Sequence, residues 1–238
     1  MKRRESAAGK QTAGKRIRRS SIAGIIGCIF FGIGDWLLGW VEPGIVDRAF
    51  LLIREGHGAD YGLMRVTITL VLGIAGMMFL LPGYQGMAEI ATDEKRKRRL
   101  RFTMALCAAG WLTVHFTVAA GIWVYSWLMH QGVEELAVES AAGITKMLMP
   151  TQMTAYVFVY LPLIQMLVYI LRRQTVYKRT AAMAAPVLWM AVLGTAAGCM
   201  PASPFSTGLF AFCMNGAMMV WCVFCLVKKP VLDKQEEG

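Results

Sequence analysis

The chain has 238 residues, 56% of them hydrophobic, with a mean hydropathy of +0.49 and a formal net charge of +10. Soluble domains are usually about 45–50% apolar. Here the excess is gathered into long runs, which excludes a soluble single-core protein and points to one polytopic membrane domain. The Lys and Arg residues sit beside those runs, where they read as topology determinants next to anionic lipid and not as a nucleic-acid surface.

Residues 1–20 (MKRRESAAGKQTAGKRIRRS) read as a polar, basic, disordered tail. The apolar run behind them is too long for a signal peptide and no A-x-A site follows it, so a retained signal anchor is expected. The first helix is placed at about 21–41 and the second at about 64–87. The third is placed at about 102–128, the fourth at 150–171, the fifth at 181–199 and the sixth at 207–227. About 20 apolar residues span the hydrocarbon core. The expected fold is all-α: residues 21–227 form a bundle of six transmembrane helices, with a basic tail before them and a second tail at 228–238.

Charge orients the bundle. With the N-terminus inside, the inner segments hold eight Lys/Arg in the tail, six around 95–101, four in 172–179 and three after 227. That is 21 of the 25; the outer side keeps Arg48, Arg54, Arg65 and Lys146. Such a split predicts both termini in the cytoplasm. The outer segments 42–62 and 131–149 carry apolar positions between charges and can each lie on the outer surface as a short amphipathic helix; caps over the helix ends are the favoured reading and a lid over a pocket the other. Trp36, Trp40, Trp123, Tyr125 and Trp127 are expected to anchor the outer interface.

Asp35 sits deep in the first helix. An acid there costs at least ~2.5 kcal/mol unless something compensates it. At about 1.5 Å per residue, Asp35 and His115 both stand roughly 20 Å above the inner ends of parallel helices. Tyr160, Thr195 and Asn215 reach a similar height, so five helices can offer a polar side chain to one layer. Gly24, Cys28, Gly32, Asp35 and Gly39 form one stripe of small residues, which marks close helix contact and turns Asp35 toward the bundle. Ala108, Trp111, His115, Ala119 and Ile122 form a comparable stripe. His115 is the other deep group that titrates near neutrality. An Asp–His pair can relay protons, hold a ligand or clamp two helices.

Pro82 with Gln85 and Pro162 with Gln165 are kink candidates, because proline removes a helix hydrogen bond and an amide can satisfy the freed groups. Cys222 and Cys225 form a C-x-x-C without further ligands, and they read as small buried residues. His57 and His130 lie near Asp60 and Glu134 at no spacing specific to a divalent site. No metal and no cofactor is expected, and no catalytic residue is assigned.

Gly24, Gly27 and Gly32, followed by Gly34-Asp35 and a short charged loop, resemble a group of small bacterial six-helix membrane proteins without assigned function. The resemblance covers helix count and the Gly-Asp feature. It implies a bacterial cytoplasmic membrane protein and no particular activity. The leading functional expectation is a membrane protein that binds a small molecule or lipid, a proton-linked carrier among the options, with Asp35 and His115 at its polar layer. An intramembrane enzyme acting on a lipid-soluble substrate and an assembly or scaffold subunit are the alternatives. Expected partners are membrane lipids, a small apolar or amphipathic ligand and a second copy of the chain.

Overall fold

A computed structural model describes residues 2–40, 46–47, 52–53 and 62–228, with 2–12, 46–47 and 52–53 described as backbone alone. Among the described residues six α-helices follow one another: α1 (Lys2–Gly39), α2 (Leu63–Gly86), α3 (Glu94–His130), α4 (Glu134–Leu171), α5 (Pro186–Cys199) and α6 (Pro204–Val227). All six are long and apolar enough to cross a membrane, the fifth when counted from Arg179 in the 3-10 turn before it. The fold is the expected all-α membrane bundle. Between α1 and α2, β1 (Val46–Asp47) and β2 (Leu52–Ile53) form a minimal antiparallel hairpin, Val46 opposite Ile53. The segment 42–62 is therefore extended, not helical, where it is described; His57 and Asp60 lie outside the described residues.

Two boundaries depart from the sequence reading for physical reasons. The basic tail is not a separate disordered segment, because α1 runs through it from Lys2. At the junction Ile17 is buried, and the hydroxyls of Ser20 and Ser21 donate to its carbonyl at 2.9 and 2.8 Å. Segment 134–149 is the first part of α4, not a surface helix. Its Ala137 and Ala141, one turn apart, pack into an apolar cluster with Ile122, Tyr125 and Leu128 of α3. The α3–α4 seam continues beyond the length a bilayer needs, and the helix continues with it.

The helices form an arc of neighbours. α1 packs between α2 and α6; α3 packs on α2, α4 on α3, and α5 on α6. The weak seam that closes the arc lies between α4 and α5. Glycine makes the central contacts possible. A Cβ at Gly27 would lie 2.6 Å from the Leu80 nitrogen, and one at Gly76 would lie 2.6 Å from the Phe31 nitrogen, so α1 and α2 touch backbone to backbone. The stripe from Gly24 to Gly39 serves α6: a Cβ at Gly39 would stand 2.7 Å from the Ala211 side chain, and one at Gly24 2.7 Å from Cys222 Sγ.

The ends are tied off. At the basic end Val176 N–H donates to the Ile90 carbonyl at 2.7 Å and Thr92 N–H to Gln174 at 3.1 Å, which joins the two loops there. Buried Glu89 accepts from Arg101 at 2.9 Å. Asp93 caps α3 by accepting from Arg96 N–H at 2.8 Å, which holds its carboxyl below the usual range. At the other end Arg65 Nε donates to the Leu37 carbonyl at 2.8 Å and caps α1. Of the expected interfacial aromatics, Trp40, Trp123 and Trp127 are exposed. Tyr125 is fully buried, and Trp36 packs edge-on against Phe205 and Phe212 of α6. Tyr125 belongs to the interior because the first turns of α4 cover it, whereas Trp36 stays half-buried.

Candidate functional site

Two apolar clusters stack along the bundle, one including Phe31, Leu80 and Trp111, the other including Leu38, Val66 and Val118. A polar layer separates them. His115 Nδ1 lies 2.7 Å from Asp35 Oδ1, and Asn215 Nδ2 donates to Asp35 Oδ2 at 2.7 Å. His115 Nε2 lies 3.2 Å from the backbone carbonyl of Thr69. Four helices meet here: α1 supplies the acid, α3 the imidazole, α6 the amide and α2 a carbonyl. The Phe31 ring packs 4.6 Å from the imidazole. All three side-chain partners are buried.

These contacts set the proton count. A carbonyl only accepts, so His115 Nε2 carries a hydrogen. Nδ1 and Oδ1 at 2.7 Å need one more proton between them. The pair thus holds two protons and is neutral overall, as acid with imidazole or carboxylate with imidazolium. Neutrality is what a low-dielectric layer demands. The chemical capacity of the pair is a short internal proton transfer beside one reachable acid: the Asp35 side chain is 9% exposed and the His115 side chain 0%.

Asp35 is reached from a cavity of about 310 Å³ enclosed by α1, α3, α4, α5 and α6. Trp111, Tyr156, Tyr160 and Phe210 give it aromatic walls, and Met153, Met190 and Cys213 soft ones. Met153 and Tyr160 are the wall residues most open to the exterior, and both stand on α4.

Of the five residues proposed for one layer, Asp35, His115 and Asn215 meet directly, and Tyr160 lines the cavity beside them. Thr195 is corrected: it is exposed and is not among the lining residues. It shares an outward stripe of α5 with Leu188 and Val192. The four kink candidates do not line the cavity either. Pro82 and Gln85 face outward on α2, and both prolines sit inside unbroken helices. Gln165 instead accepts from Thr103 at 2.8 Å and donates to Tyr169 at 3.0 Å, tying α3 to α4. Cys222 and Cys225 are buried free thiols. His130 Nδ1 contacts the Ser126 carbonyl at 2.9 Å. Among the described residues no group of His, Cys, Asp and Glu is arranged to hold a metal.

Sequence reasoning missed Thr69, Gly73, Tyr156 and Cys213. Gly73 was the readable signal. A Cβ there would lie 2.6 Å from His115 Cδ2, so its absence makes the imidazole's seat.

No curated protein and no solved structure matches this chain. One family model does, over residues 1–229, and its description is a family of unknown function. The six-helix chain with this buried Asp–His–Asn layer belongs to the family of unknown function DUF6796.

Proposed function

We propose that this membrane protein takes a small apolar or amphipathic molecule from the lipid phase and holds it over the Asp35–His115–Asn215 layer. One observation carries the reading: a cavity of about 310 Å³ with apolar walls ends on a reachable acid, and its most open wall residues belong to α4, beside the weak α4–α5 seam. Concave apolar sites with a few convergent polar groups are the usual form of small-molecule sites. The charge asymmetry supports a bundle with both termini in the cytoplasm. The proton held between Asp35 Oδ1 and His115 Nδ1 favours a second reading, in which ligand occupancy is linked to a proton.

Native mass spectrometry of protein extracted from its own membrane tests the site. Wild type is expected to carry an apolar adduct that organic solvent releases. Met153→Trp, which fills the cavity at an exposed position, is expected to lose the adduct and keep its melting temperature. The same adducts in both proteins would leave a helix clamp in a scaffold subunit as the function of the layer.

A further inference from the structure

Resting on that reading, we infer that the molecule is a neutral lipid alcohol, bound by its hydroxyl between Asp35 and Tyr160. Charge excludes the ionic alternatives. No Lys, Arg or second acid lines the cavity among the described residues, and the Asp35–His115 pair is neutral. A phosphate head would find no counter-charge, and an ammonium would find no net negative charge to meet. Either ion would also have to be brought to mid-membrane depth, where charge is costly.

Hydrogen bonding then narrows the neutral candidates. Each Asp35 oxygen makes one hydrogen bond within the protein, and each keeps a lone pair free to accept a second. Asp35 and His115 both line the cavity, and of the two only the acid's side chain has exposed surface. Tyr160 lines the same cavity, and its hydroxyl makes no hydrogen bond to any described residue. It stands eleven residues from the end of α4 at Leu171, about 16 Å along the helix, a depth that falls inside the hydrocarbon core when α4 spans the membrane. An acceptor and a donor thus address one space. A hydroxyl satisfies both, giving its hydrogen to Asp35 and accepting one from Tyr160. An ether or ketone satisfies only Tyr160, and a hydrocarbon neither. The volume lies at the low end of small-molecule sites. It holds the head and the first part of a chain, and the rest leaves past Met153 and Tyr160 into the lipid.

The test uses the full chain in nanodiscs with three probes: farnesol, farnesyl methyl ether and farnesyl phosphate. Only binding abolished by Met153→Trp is counted, so that partition into lipid drops out. Farnesol is expected to bind roughly 3–10-fold more tightly than the ether, the worth of one ordinary net hydrogen bond, and more tightly than the phosphate. Tyr160→Phe keeps the wall and removes the donor, and it should weaken farnesol by a similar factor. Ether equal to alcohol, phosphate tightest, or farnesol indifferent to Tyr160→Phe would each overturn the alcohol and leave the cavity reading standing. No Met153→Trp-sensitive binding of any probe would overturn the cavity reading itself.

Discussion

Asp35 is held where a lone carboxylate would destabilise the bundle, and its two oxygens are both engaged. Removing it by Asp35→Ala leaves His115 Nδ1 and Asn215 Nδ2 without partners in a buried layer. Each orphan costs about 1–3 kcal/mol, so the loss should approach the ~3–5 kcal/mol of a broken buried pair. His115→Ala orphans Oδ1 in turn, while the Thr69 carbonyl stays within the hydrogen-bond ladder of α2. The double variant removes both sides at once and should therefore cost less than the sum by about 1–3 kcal/mol. That exceeds the ~0.6 kcal/mol average for interhelical hydrogen bonds in a membrane, because here the pair shares a proton and excludes water. Unfolding in mixed micelles measures all three variants. Additive losses would mean that the two residues do not act as a unit.

At the scale of the helix, the same small residue carries opposite consequences at different positions. At Gly76 an added methyl meets Phe31 N at 2.6 Å and Phe31 Cα at 2.9 Å; these are backbone atoms and cannot rotate away. Gly76→Ala should cost about 1–3 kcal/mol, as overpacking does, and it should loosen the Phe31 ring from the imidazole. Gly143 lies in α4 with nothing within 4 Å of its Cβ position, so Gly143→Ala should stabilise by roughly 0.5–1 kcal/mol through helix propensity. Melting temperatures moving in the same direction would contradict the packing assigned to α1 and α2. The contrast also explains what could be read without coordinates. Hydropathy locates the helices because lipid demands long apolar runs. Counting residues along them puts Asp35, His115 and Asn215 at one depth because helix rise is constant. Which way Thr195 faces could not be read, since α5 is apolar on every side and its neighbours decide its orientation. The Thr69 carbonyl was hidden for a simpler reason: every residue has one. The start of α4 was misplaced because only packing on α3 turns segment 134–149 from a surface helix into part of a span.

The whole molecule is longer than a membrane is thick, and that gives its orientation a direct readout. α3 has 37 residues, about 55 Å, against roughly 30 Å of hydrocarbon. Its basic start, Lys95 to Arg101, belongs at one surface, so its far end and the first turns of α4 stand clear of the other as a helical hairpin. With 21 of 25 Lys and Arg at the basic end, that hairpin is expected outside the cell and both termini inside. The cysteines supply the probe. Cys199 is exposed at the end of α5 away from the basic loops, whereas Cys28, Cys107, Cys222 and Cys225 are buried. A membrane-impermeant maleimide added to intact cells should therefore label the wild-type protein, and Cys199→Ser should abolish that labelling. In the Cys199→Ser background, Gln131→Cys at the α3–α4 turn should label in intact cells. Gln174→Cys, in the basic-end loop after α4, should label only after the membrane is opened. The reverse pattern would invert the bundle. It would leave the Asp35 layer at the same depth, and it would set the cationic surface against the wrong side of the membrane.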